Sequence, residues 1–129
     1  MKELEHQEEL LQAARKDLNA LTGMEDRKIF VDEIFGFHVQ QALEKALKAW
    51  ITALKLQYPR THDITVLLAI LERHGQDVGQ LWNFVKYNAF AVQFRYESHD
   101  SLEEQVPRHS VIAAVTELVE RVAGVVRET

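Results

Sequence analysis

The sequence contains no cysteine, and it is poor in the residues that break helices. Without cysteine there are no disulfides, thiolate nucleophiles or thiolate metal ligands. Two prolines and five glycines are spread over 129 residues, so we expect short loops between long regular segments.

A membrane segment and an excess of positive charge are also missing. No run of about eighteen uncharged apolar residues is present. Residues 1–6 are acidic and polar, where a signal peptide would be basic and then apolar. We therefore expect a cytoplasmic protein. The formal net charge is −5, which repels a polyanion at long range, so contact with nucleic acid would need a local basic patch.

What is present is the composition of a globular protein. Hydrophobic residues make up 47% of the chain and charged residues 27%, which argues against disorder. The length is near that of one ordinary domain. We expect a single domain over residues 1–129.

The apolar residues repeat at helical spacing, and no segment alternates with a period of two. Five α-helices are predicted. The first runs from Leu4 to about Gly23, and the second follows the Gly23-Met24 break and runs to about Gln57. The third runs from the cap Asp63 to His74-Gly75, the fourth from Asp77 to about Tyr96, and the fifth from Ser101 through Val125. These segments predict an all-α, antiparallel up-and-down bundle of four to five helices. In the second helix, the predicted stripe comprises Ile34, Phe37, Gln41, Leu43, Leu47, Trp50 and Leu54, and Gly36 predicts a kink or a close helix contact.

Three motifs follow one another at a distinctive spacing. Residues 37–48 read Phe-His-Val-Gln-Gln-Ala-Leu-Glu-Lys-Ala-Leu-Lys, residues 60–63 read Arg-Thr-His-Asp, and residues 94–96 read Phe-Arg-Tyr. In this order the sequence resembles a HEPN domain over about residues 11–128. The resemblance implies a helical bundle that is commonly a homodimer. It also implies a partner, a minimal nucleotidyltransferase, in a toxin–antitoxin or related two-component system.

Many relatives that the sequence resembles cleave RNA with an arginine and, four to six residues later, a histidine that meet across a dimer. Here the nearest pair is Arg95 and His99, with three residues between them. Within a helix, one residue fewer turns the histidine by about 100°. The first hypothesis is therefore a non-catalytic partner module, and the alternative is a metal-independent ribonuclease that uses Arg95 and His99.

A polar groove is the predicted binding site for nucleotide. Its candidate residues are Gln41, Lys45, Lys48, His62, Arg95 and Tyr96. Each has a structural interpretation as well: the lysines can complement a helix dipole, Glu44 can pair with Lys48, and His62 can bond to the second helix. Arg95 and Tyr96 can simply end the fourth helix.

Neither a cofactor nor a metal is predicted, because the six histidines show no metal-ligand spacing and no glycine-rich phosphate loop is present. The aromatic residues Trp50, Trp82, Phe84 and Phe90 fall in apolar stripes and are interpreted as core or interface. A homodimer is expected from the resemblance. The wide apolar stripe of the last helix favours it too: Val111, Ile112, Val115, Val119, Val122 and Val126.

Overall fold

A computed structural model describes residues 2–90 and 108–128, and all regular structure in this part of the chain is helical. Four α-helices and one 3₁₀ helix follow in order: α1 (Lys2–Thr22), α2 (Asp32–Ala53), α3 (Ile64–Arg73), the 3₁₀ helix (Gly79–Phe90) and α4 (Arg108–Arg127). The predicted all-α bundle is confirmed. Helix α2 lies at its centre, in contact with each of the other helices.

Helix α1 buries the stripe that its sequence predicts. Leu11, Ala14, Leu18 and Leu21 lie in the core, and the helix ends at Thr22, just before Gly23. Asp17 lies in the same stripe and is only 8% exposed. A carboxylate in this position needs partners from the neighbouring helix.

The second helix is shorter than predicted. The prediction that the second helix begins directly after the Gly23-Met24 break was wrong. Residues 24–31 form a turn segment, in which the side chain of Asp26 accepts the backbone N–H of Lys28. The predicted stripe was partly wrong too, since Ile34 is 39% exposed. The buried face instead carries Phe35, Val39, Ala42, Leu43, Ala46, Leu47 and Trp50.

Gly36 makes the close helix contact that was one of its two predicted roles. A Cβ atom on this residue would lie 2.6 Å from the ring of Phe90. Because no side chain fits at that distance, glycine allows the end of the 3₁₀ helix to pack directly on the backbone of α2.

Helix α3 begins and ends where the sequence predicts. The side chain of Asp63 accepts the backbone N–H of Thr65 and so caps the N-terminus. At the other end, Gly75 adopts φ of +80°, a conformation that favours glycine after a helix. Ile64, Leu67, Leu68 and Leu71 are buried.

The fourth predicted α-helix is a 3₁₀ helix in residues 79–90, and residues 91–96 lie outside the described part of the chain. The tighter winding, with three residues per turn, moves the apolar face. Tyr87 and Phe90 are therefore buried, whereas Leu81, Trp82 and Val85 are half-buried. Asp77 was predicted to cap this helix, and its carboxylate does accept the backbone N–H of Gly79. The distance of 3.4 Å makes this a long hydrogen bond.

Helix α4 buries its whole valine stripe inside one chain. The six residues from Val111 to Val126 that favoured a homodimer are at most 8% exposed, so this stripe gives no argument for a second copy. Arg108, at the first position of the helix, is buried as well. The predicted cap at Ser101 and Pro107 lies outside the described residues.

Candidate polar site on the second helix

A buried carboxylate, Glu44, gathers three side-chain donors on one side of α2. Nζ of Lys48 lies 2.9 Å from Oε2, and Nε2 of Gln40 lies 3.0 Å from Oε1. Nδ1 of His62 lies 3.1 Å from Oε1. An ionised carboxylate only accepts, so Nδ1 of His62 carries the proton and Nε2 is directed away from Glu44. Gln40 also donates to the backbone carbonyl of His62 at 2.8 Å, which fixes the chain before α3.

These donors decide the charge state of Glu44. Burial by itself raises the pKa of the carboxyl, but the hydrogen bonds from Lys48, Gln40 and His62 and the charge of Lys48 outweigh it, so the pKa lies below its ordinary value of 4.5. The ionised form of Glu44 is thus part of the fold.

Tyr58 extends this cluster towards α1. Its ring lies beneath the ammonium group of Lys48, with 5.2 Å from Nζ to the ring centroid, and its hydroxyl is 2.8 Å from Nε2 of His6. Burial and the negative charge of Glu44 raise the pKa of Tyr58, so the phenol is neutral at physiological pH. The contacts link α1, α2 and the connection to α3.

A second buried carboxylate, Asp17, has a matching arrangement. Nζ of Lys45 lies 2.7 Å from Oδ2, and Nδ1 of His38 lies 2.9 Å from Oδ1. Helix α1 supplies the acid, and α2 supplies both bases from positions seven residues apart on one face. The polar face of α2 therefore consists of two clusters, in each of which a lysine and a histidine share one buried carboxylate.

The predicted groove residues are divided between these clusters. Lys48 and His62 come together at Glu44, whereas Lys45 turns to Asp17, and the amide of Gln41 donates to Gln40 at 2.7 Å. The pairing of Glu44 with Lys48 and the bond from His62 to α2 are both present. Arg95, Tyr96 and His99 lie outside the described residues.

Asp17, His38 and Gln40 belong to the polar face but were not predicted as its members from the sequence. A signal was available for two of them, because Asp17 and Gln40 stand inside apolar stripes, where polar side chains require partners. His38 and Lys45 are seven residues apart, which places them on one helix face. No local pattern pairs that face with Asp17 in another helix.

The chemistry available to this face is limited by its own ion pairs. Both lysines contact a carboxylate, so much of their positive charge is already neutralised. The histidine rings still present Nε2. In the described residues, no group of three or more histidine and acidic side chains is arranged to hold a metal ion, and no helix there has the length and hydrophobicity to span a membrane.

Comparison with known proteins supports the same architecture. The HEPN domain family model matches residues 7–128, nearly the whole chain. The chain belongs to the HEPN family, and the resemblance found in the sequence is confirmed. Neither a curated protein nor a solved structure matches it significantly.

Proposed function

We propose that this chain is a non-catalytic HEPN module that binds a minimal nucleotidyltransferase in a toxin–antitoxin-like two-component system. One observation carries the proposal: three large apolar side chains lie exposed around the start of α2. Ile29 is 69% exposed, Val31 48% and Ile34 39%. Apolar side chains grouped on a surface mark a protein-binding site, because a partner that covers them removes them from water.

The polar face of α2 supports a binding role more than a catalytic one. Lys45 and Lys48 are each held by a carboxylate at 2.9 Å or less, so neither is a free cation for a developing negative charge. Fixed ion pairs of this kind give a surface a defined shape and pattern of charge, which favours recognition of one partner.

Binding to the partner is the direct test. The genes beside the one for this chain are first searched for a minimal nucleotidyltransferase, and the association of that protein with the chain is then measured by calorimetry. We expect a complex for the wild type and its loss when Ile29→Asp and Val31→Asp are combined. Ala113→Asp, at an exposed position of α4, is the control and should bind normally. If the wild type forms no complex at tens of micromolar, the proposal is wrong.

Nucleotide binding is a second candidate, favoured by the exposure of His62. Its side chain is 64% exposed while Nδ1 donates to Glu44, so Nε2 can donate to a phosphate when it carries a proton as well. Titration with nucleotide tests this: Lys48→Ala, His62→Ala and Arg95→Ala should weaken binding without loss of helicity. Affinity should fall as salt rises, more steeply for the wild type than for the variants.

Ribonuclease activity is the remaining alternative, and it depends on Arg95 and His99. RNA incubated with the protein and a chelator distinguishes it from the first two. Metal-independent cleavage that His99→Ala abolishes would replace the non-catalytic proposal with the enzymatic one.

A further inference from the structure

We propose that a cleft between the 3₁₀ helix and α4 binds a free apolar amino acid. The cleft has a volume of about 450 Å³, and its apolar lining includes Leu81, Phe84 and Leu118. Three charged side chains also line it: Asp77, Glu117 and Arg121. It lies apart from the polar face of α2 and from the exposed apolar residues near Ile29, so this inference does not depend on the proposed function.

The size and lining of the cleft suit a small molecule. Pockets for such ligands have volumes of about 300 to 1,000 Å³ and combine apolar walls with a few polar groups. Leu118 is 3% exposed, so the bundle core forms part of the lining. Phe84 is half-buried and offers its ring to an apolar ligand side chain.

Glu117 and Arg121 of α4 do not form the ion pair that their spacing allows. Glu117 precedes Arg121 by four residues, the spacing and order at which an acid and a base normally pair along a helix. Instead, the guanidinium of Arg121 lies over the ring of Trp50, 4.5 Å from its centroid. Within the described chain, no ion pair joins Glu117 to a cation. As far as the described residues go, the Glu117 carboxylate and the edge of the Arg121 guanidinium are open to a ligand.

Asp77 adds a second carboxylate from the opposite side of the cleft. One of its oxygens accepts the backbone N–H of Gly79 at 3.4 Å, a long and weak bond. Among the described residues, Oδ2 of Asp77 has no hydrogen-bond partner.

One guanidinium, two carboxylates and an apolar wall together match an amino-acid zwitterion. Arg121 can bind the ligand carboxylate through two parallel N–H donors. Glu117 and Asp77 can accept from the ligand ammonium, and Phe84 and Leu81 can cover an aliphatic or aromatic side chain. Two carboxylates repel a phosphate, so this cleft disfavours a nucleotide.

Ligand analogues test the two charge contacts without changing the protein. L-leucine and L-phenylalanine are titrated by calorimetry beside their amides, which lack the carboxylate, and their N-acetyl forms, which lack the ammonium. We expect the free amino acids to bind and each analogue to lose about tenfold or more, the effect of one hydrogen bond to a charged group. If the free amino acids do not bind, or if the amide binds as tightly, the proposal is overturned.

Variants assign the contacts to residues. Arg121→Gln should weaken binding of the amino acid but not of its amide, and Glu117→Gln should weaken the amino acid but not its N-acetyl form. Arg127→Gln and Glu120→Gln, on the same helix and outside the cleft lining, are matched controls that should bind normally. In Trp82→Phe, the remaining tryptophan is Trp50, and its fluorescence should change on binding because Arg121 covers it. Binding that survives in both cleft variants would place the ligand elsewhere and overturn the proposal.

Discussion

The guanidinium of Arg108 donates a hydrogen bond to Oδ1 of Asp32 across 2.8 Å and so joins the first residue of α4 to the first residue of α2. The same group donates to the backbone carbonyl of Met24 at 2.8 Å and lies 4.6 Å from the ring centroid of Phe35. A charge buried at the start of the last helix is thereby neutralised by the carboxylate at the start of α2, and the segment between α1 and α2 adds a carbonyl acceptor.

Arg108→Met should destabilise the protein by about 1 to 3 kcal/mol, because it leaves the half-buried Asp32 carboxylate and the Met24 carbonyl without their donor. Chemical denaturation measures it. Arg127→Met, at the exposed end of the same helix, should change the free energy of unfolding by about 0.5 kcal/mol or less. A loss below about 1 kcal/mol for Arg108→Met would contradict a structural role for this contact.

Glu44→Gln should change the dependence of stability on pH. The folded-state pKa of Glu44 lies below 4.5. The folded protein therefore favours the ionised carboxylate more than the unfolded chain does. The resulting stability is present above pH 4.5 and is lost as the pH falls through the folded-state pKa. The wild type should therefore exceed the variant in stability at pH 7, and the difference should shrink in acid. Urea denaturation between pH 7 and pH 3 tests this, and a constant difference would contradict it.

Gly36→Ala should destabilise the protein by about 1 to 3 kcal/mol, since the added Cβ would force apart α2 and the ring of Phe90. Gly124→Ala, in the last turn of α4, is the matched control. Its added Cβ would come no closer than 3.9 Å to the end of the flexible Arg127 side chain, so it should stabilise the helix by about 0.5 to 1 kcal/mol. Thermal unfolding of both variants distinguishes crowding from helix propensity. Equal effects would mean that the contact with Phe90 is loose.

Tyr87→Phe should leave stability unchanged or raise it by up to about 1 kcal/mol. The hydroxyl is buried and has no hydrogen-bond partner among the described residues, so its removal lifts a desolvation cost. Burial and the nearby charge of Asp32 raise the pKa of Tyr87 to about 12, so the variant should also lack a tyrosine that titrates near pH 12 in an alkaline absorbance titration. A loss of more than about 1 kcal/mol would indicate that the hydroxyl has a partner.

The fold was predicted best where each helix carries its own signals. Asp63 precedes α3 and Gly75 follows it in the structure, as the sequence predicts. Both ends could be predicted because capping depends on residues a few positions apart. The 3₁₀ winding of residues 79–90 was not predicted. Its apolar residues fit an α-helical period equally well, and packing against Gly36 of α2 accompanies the tighter winding.

The candidate site was predicted in part for the same reason. Glu44 and Lys48 are four residues apart on one helix, so their pairing follows from helix geometry alone. The partner of Lys45 is Asp17, 28 positions earlier in the chain. No local rule selects that acid from the others in α1.

Local patterns in the sequence were enough to predict an all-α HEPN-like bundle and the positions of α1 and α3, since helical periodicity and capping act over a few neighbouring residues. Helix packing decided which buried charges meet, such as Arg108 with Asp32 and His38 with Asp17. It also decided that the valine stripe of α4 is covered within one chain. A charge can pair with, and an apolar face can pack against, any element that lies next to it. The partner therefore depends on how all the helices pack and not on the residues nearby in the sequence.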